Sequence, residues 1–344
     1  YKNNHQKFIE YNIHDCVLVD LLDEKKKYFE QVMALAYDAK VNYNDTLTTV
    51  RPWDVIIHNY LMNDNIVIPP MKDNEMDMNL IGGFVKEPEP SAYRWVVSFD
   101  LNSLYPHLIM QYNISPETFV QRKDNMPSID ELLNKQDIDG FDGLSYAANG
   151  CAFVKHKQGF LPALMERMYN DRTKYKKLML EAKQRYENNP NSEDEMLISR
   201  YHNMQLAKKI QLNSAYGALG NKYFRWFNFN LAEAITSSGQ LSIRWIHNKM
   251  NEFMNKMLKT KNKDYIIAVD TDSIYINMED LVSKIDQNDD LKIVTAIDKF
   301  CKDIVQPYIN KCYEELAEYM NAYQQKMQMK RETIANKGIW RGKK

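Results

Sequence analysis

Two places in the chain set carboxylates where an apolar run ends. Asp100 follows Tyr93-Arg94-Trp95-Val96-Val97-Ser98-Phe99, while Asp270 and Asp272 lie between Tyr265-Ile266-Ile267-Ala268-Val269 and Ser273-Ile274-Tyr275-Ile276. An ionised Asp beside buried strands is costly unless positive charge meets it, so acidic strand ends point to a hard divalent cation. Magnesium suits them best, since a pair of ions about 3.5–4 Å apart can activate an attacking oxygen and steady a departing one. Taken alone, Asp-Thr-Asp is ordinary turn chemistry. What sets it apart is its position between two strongly apolar strands, the second acidic strand end, and a basic helix with phosphate-suited residues.

That helix is Gln205-Leu206-Ala207-Lys208-Lys209-Ile210-Gln211-Leu212-Asn213-Ser214-Ala215-Tyr216-Gly217. Lys209, Asn213, Tyr216 and Gly217 stand at i, i+4, i+7 and i+8, on one face. A cation, an amide, a ring and a gap make a track for a nucleotide, with no side chain where a base pair must approach. Arg172 and Lys176, again i and i+4, either face the same polyphosphate or form a solvated basic face. After Asp100, Leu101-Asn102-Ser103-Leu104-Tyr105-Pro106 leaves the strand, and N–H groups released at such a turn are natural phosphate donors. Tyr105 stands beside a sugar bound there or packs the core; the spacing leaves both open.

These residues need elements to hold them. Apolar spacing predicts two helices over 8–39, interrupted by Asp23 to Lys27, and a short helix around Trp53 to Leu61 before the break at Pro69-Pro70. A strand runs into Asp100, and 265–269 with 273–276 forms a hairpin. Helical periodicity over 164–187 and 195–217, separated by Asn188-Asn189-Pro190-Asn191-Ser192, predicts an antiparallel helix pair. A long helix covers 231–258, and the chain beyond the hairpin reads as mostly helix to about 328.

With 44% hydrophobic and 26% charged positions in 344 residues, disorder, collagen and coiled-coil classes are excluded and two or more structural units are expected. The formal charge is −1, yet residues 166–225 hold twelve Lys or Arg against seven Asp or Glu, so the helix pair is the basic limb of a neutral chain. Cysteines 16, 151, 301 and 312 show no paired spacing and are expected to be reduced thiols. No apolar run is long enough to span a bilayer, and no membrane partner is expected. The chain opens at Tyr1 without Met and stops at Lys344 with no fading of pattern, which reads as a fragment or a processed product.

Ser98-Phe99-Asp100-Leu101-Asn102-Ser103-Leu104-Tyr105-Pro106, continued by Asn113-Ile114-Ser115-Pro116-Glu117-Thr118, resembles motif A of the family B DNA polymerases. Lys209-x-x-x-Asn213-Ser214-x-Tyr216-Gly217 resembles motif B, and Asp270-Thr271-Asp272-Ser273 resembles motif C. The order of the three, with a helical hairpin between the first two, is also the family's. Gly217-Ala218-Leu219-Gly220-Asn221, Ala234-Ile235-Thr236 and Gly239-Gln240 extend the resemblance, which is to the replicative polymerases of T-even-like phages, over nearly the whole chain.

The resemblance implies an α+β right-hand fold: a palm built on an antiparallel sheet and helical-hairpin fingers, with the thumb absent. It implies that 1–27 is the end of a 3′-5′ exonuclease domain, 28–72 an N-terminal-domain segment and linker, 73–161 the first part of the palm, 162–222 the fingers and 223–344 the rest of the palm. Asp100 and Asp272 would bridge two Mg²⁺ ions, replaceable by Mn²⁺, with Asp270 peripheral. Arg172, Lys176 and Lys209 would hold the incoming triphosphate together with Leu101, Ser103 and Leu104. Tyr105 would pack under the sugar and reject a 2′-hydroxyl. Asn213 would meet the dNTP and, with Tyr216 and Gly217, line the nascent base pair. Gly82-Gly83 resembles the linker that touches template. Tyr11-x-x-x-Asp15 resembles the last exonuclease motif, with Asp15 a metal ligand and Tyr11 orienting water; the other carboxylates of that site would lie upstream. Lys343 and Lys344 resemble the approach to a Lys-Lys-x-Tyr primer-template motif. His107 departs from the pattern, since a small hydroxyl residue is common there.

The function so implied is a DNA-directed DNA polymerase of phage-type replication, acting on primer-template DNA and dNTPs in the cytoplasm of an infected cell, with a sliding clamp as partner of the full-length protein. Two rivals stand beside it. Another palm-based nucleotidyltransferase or cyclase would have no use for the helix 209–217. A catalytically incomplete piece would bind nucleic acid through the basic hairpin without extending it.

Overall fold

The computed structural model describes residues 3–72, 74, 80–138, 143–285 and 289–341. The chain divides into two compact units, one of residues 1–71 and 167–218, the other of 72–166 and 219–344.

Helix α1 (His5–Lys26) gives way to α2 (Tyr28–Ala39) at Lys27, whose φ is +56°, and the Asp23 carboxylate accepts the Phe29 N–H at 2.9 Å where α2 begins. None of the residues of α1 is buried. After α3 (Val50–Met62) come β1 (Val85–Lys86), β2 (Ser91–Leu101), α4 (Leu104–Tyr112), β3 (Phe119–Arg122), α5 (Ile129–Leu133), β4 (Ser145–Tyr146) and β5 (Cys151–Phe153). The long helices α6 (Phe160–Asn188) and α7 (Ser192–Leu219) form the predicted pair, and α8 (Phe229–Leu258) follows. The chain closes with β6 (Ile266–Asp270), β7 (Ser273–Asn277), α9 (Glu279–Val282), α10 (Asp290–Phe300), a π-helical turn over Cys301–Val305, α11 (Gln306–Tyr319) and β8 (Met329–Trp340).

The first unit is helical. Asn191 caps α7 by accepting the Asp194 N–H at 2.8 Å, and an Arg185–Asp194 ion pair at 2.6 Å closes the turn between the long helices. Trp53 on α3 is buried, and its indole N–H donates to the Ser214 hydroxyl on α7 at 3.0 Å.

In the second unit a five-stranded sheet has the order β1-β6-β7-β2-β8, every neighbour antiparallel. Val97 and Phe99 pair with Ile276 and Ile274, and these four buried side chains form one face of the sheet. Helices α8 and α11 lie together, the Trp245 indole donating to the Cys312 carbonyl at 2.9 Å, and α8 contacts β6 and β7. A second sheet has the order β3-β5-β4. Neither that sheet nor β8 is foreshadowed by the sequence pattern, which reads as mostly helix beyond the hairpin. Strand β8 lacks clean alternation and is studded with charge, yet it forms because β2 offers an unpaired edge. Cys16 is exposed, Cys151, Cys301 and Cys312 are buried, and all four are free. Among the described residues no helix is long and apolar enough to cross a membrane.

Candidate metal and nucleotide site

Strand β2 carries Asp100 to the sheet end, directly across from Ser273. One residue on, the Leu101 N–H donates to the Asp272 carbonyl at 2.7 Å, which ties the two acidic segments side by side. The β6–β7 connection is a two-residue tip: Thr271 has φ +55°, and the Asp272 N–H donates to the Asp270 carbonyl at 2.6 Å. Asp100 and Asp272 are half-buried, whereas Asp270 is exposed, with the Thr271 hydroxyl donating to its carboxylate at 3.4 Å.

Burial, then the charges of Asp272 and Glu332, push the Asp100 carboxyl up to about 7. Burial raises Asp272 as well; its own N–H pulls it down, and Asp270 and Glu332 push it up. The neighbouring charges acting on both groups are thus carboxylates, and the donor set suits a divalent cation that would relieve the repulsion. Among the described residues no three His, Cys, Asp or Glu side chains close into a ready-made metal cage. Two carboxylates whose remaining coordination comes from water and substrate oxygens fit magnesium chemistry.

Glu332 escaped sequence reasoning. Ser98 pairs with Thr333 and Phe99 with Arg331, so Glu332 is the extra residue of a β-bulge on β8, and bulges re-aim side chains at sheet edges. The signal available was a Glu in a charged stretch with no strand pattern to aim it.

Gly82 and Gly83 reach the acidic tip. A Cβ on Gly83 would lie 2.7 Å from the Thr271 methyl, the Thr271 N–H donates to the Phe84 carbonyl at 3.0 Å, and Gln240 donates to the Gly82 carbonyl at 2.6 Å. Beyond Asp100, the Asn102 N–H donates to the Gln328 carbonyl at 2.9 Å, and Ser103 (φ +48°) turns the chain into α4. Leu104 and Tyr105 pack over Gly239 of α8, where a Cβ would sit 3.5 Å from each. Tyr105 is only partly buried.

The remaining candidates among the described residues belong to the first unit. Lys209, Asn213 and Gly217 share the exposed side of α7, with Tyr216 half-buried, while Gln211, Leu212, Ala215 and Ala218 face inward. Lys208 pairs with Asp171 of α6 at 3.5 Å and with Asp38 of α2 at 2.8 Å. Arg172 is half-buried, and desolvation lowers its pKa while Tyr169 opposes the change; Lys176 is exposed. On α1, Tyr11 and Asp15 are both exposed, one turn apart. Lys343 and Lys344 lie outside the described residues.

A family model for DNA polymerase family B matches residues 48–335. Over its whole length the chain is 33% identical to a DNA-directed DNA polymerase of Escherichia phage RB69 and 32% identical to one of Enterobacteria phage T4, spanning 44% of each. Over 56% of the chain it is 32% identical to a DNA polymerase of Pyrococcus glycovorans, of which it spans 21%. It thus covers less than half the length of these relatives.

Proposed function

This chain is a member of DNA polymerase family B, and on that premise we propose that it is the catalytic middle of a DNA-directed DNA polymerase of phage-type replication. Residues 73–161 and 223–344 are the palm, and 162–222, which hold most of the helix pair α6–α7, the fingers. The observation that carries the reading is the pairing of Asp100 with Asp272 at one sheet end, where the Asp272 charge raises the cost of ionising Asp100 and burial raises both. Bound there, two Mg²⁺ ions would make the primer 3′-hydroxyl more acidic and offset charge on the leaving pyrophosphate. The 3′-oxygen bonds to the α-phosphorus, and the bond from that phosphorus to the β-bridging oxygen breaks.

The chain's own groups do the rest. Asp100 and Asp272 hold the cations, with Asp270 outside them. Arg172, Lys176 and Lys209 take the triphosphate oxygens with the N–H groups of Ser103 and Leu104, the Leu101 and Asn102 N–H groups being bonded to the Asp272 and Gln328 carbonyls. Tyr105, held against Gly239, excludes a 2′-hydroxyl. Asn213, Tyr216 and Gly217 line the base pair, and Gly82-Gly83 touches template beside the acidic tip. Lys343 and Lys344 contact primer-template. Tyr11 and Asp15 are the remnant of an exonuclease motif. Mn²⁺ substitutes for Mg²⁺, a sliding clamp serves the longer protein, and the site of action is the infected cell's cytoplasm.

Primer extension with Mg²⁺ tests the reading: templated incorporation is expected and is lost in Asp272→Asn, while DNA binding is retained. Normal extension by that variant would refute the metal assignment. The chain's 44% span of its relatives favours one alternative, DNA binding without extension, which predicts salt-sensitive retention of duplex and no incorporation.

A further inference from the structure

We propose that His107 is a positioning residue for the incoming triphosphate, an inference that rests on the polymerase reading and adds a residue to it. Ser103 is a non-glycine residue at φ +48° and ψ +60°, a left-handed conformation that persists only where its surroundings enforce it. The serine side chain makes no cap for α4. One hold on it comes from inside the helix. His107 is 3% exposed, its ring Nδ1 lies 3.0 Å from the Ser103 carbonyl, and its backbone N–H donates to the same oxygen at 3.2 Å. A carbonyl oxygen can only accept, so Nδ1 carries the proton.

The peptide is planar and trans, so fixing the Ser103 carbonyl fixes the Leu104 N–H in the opposite direction. That N–H belongs to the first turn of α4, where helix geometry supplies no acceptor and favours an anion. The ring therefore holds a phosphate donor from behind, without touching substrate, and sets the angle at which Tyr105 leaves the turn. The preceding amides are anchored independently, Leu101 to the Asp272 carbonyl and Asn102 to that of Gln328. His107 completes the series at the residue with the strained backbone.

The test has two arms. In primer extension, His107→Leu is expected to raise the KM for dNTP about tenfold with a smaller change in kcat, the loss of one buried hydrogen bond. His107→Asn, whose Nδ2 can replace Nδ1–H, should recover most of that loss; His107→Gln, whose amide reaches past the carbonyl, should not. Equal KM in wild type and His107→Leu, or equal loss in Asn and Leu variants, would overturn the proposal. A wild-type chain that fails to extend primers would count against the polymerase reading instead. The second arm needs no catalysis: nitrogen NMR of ¹⁵N-histidine-labelled chain at pH 8 should find the His107 ring protonated at Nδ1, and an Nε2–H tautomer refutes the arrangement.

Discussion

Burial and the charges of Asp272 and Glu332 push the Asp100 carboxyl of the metal-free chain up to about 7 from an ordinary value of 3.8. A carboxyl raised on folding favours the folded state at low pH, and that advantage is lost as pH climbs through about 7. Without metal, Asp100→Asn should therefore melt higher than wild type at pH 8, with the gap closing toward pH 5; a lower melting temperature at pH 8 would contradict the burial and repulsion inferred here. Adding Mg²⁺ should raise the wild-type melting temperature more than the variant's. Tyr105 offers a second residue-scale prediction. With its ring seated over Gly239, Tyr105→Ala should relax discrimination between dNTP and rNTP by about a hundredfold. Unchanged discrimination in single-nucleotide extension would return Tyr105 to a packing role. Both aspartates were legible in the sequence because apolar runs end on them. Glu332 was not, because a bulge aims it and bulges leave no periodic trace.

Element geometry turns on how the acidic tip is held. Gly83 lies against Thr271 so closely that a methyl there would meet its side chain at 2.7 Å, and Thr271 sits at φ +55°, a conformation glycine adopts freely. Gly83→Ala should cost roughly 1–3 kcal/mol in chemical denaturation, and Thr271→Gly placed in the same chain should restore most of it. Failure of the second change to rescue the first would mean that the contact does not set the tip. Strand β2, the β6–β7 hairpin and helices α6, α7 and α8 could be anticipated from side-chain periodicity, since each buries one face against a large partner. Strand β8 could not. Its 329–340 run alternates weakly, and it is ordered by the free edge of β2, a tertiary fact. Helices α1 and α2 were legible from the spacing of their apolar residues, although none of the residues of α1 is buried.

For the molecule as a whole, net charge is nearly balanced while the helix pair carries the basic excess. DNA affinity should fall with salt, and Lys176→Glu or Lys209→Glu should each reduce the slope of log affinity against log salt by about one; slopes equal to wild type would place DNA elsewhere. The three polymerase motifs were readable because each is a short run of chemically constrained residues. The contact of Gly83 with Thr271 was not, because it arises between segments far apart in the chain. The central claim is that Asp100 and Asp272 act together on divalent cations. Electron paramagnetic resonance of Mn²⁺ titrated into the chain tests it most directly. Wild type should bind Mn²⁺, and Asp100→Asn and Asp272→Asn should each weaken binding about tenfold or more, with Lys209→Ala unchanged; Mn²⁺ binding as tight in both aspartate variants as in wild type would contradict it.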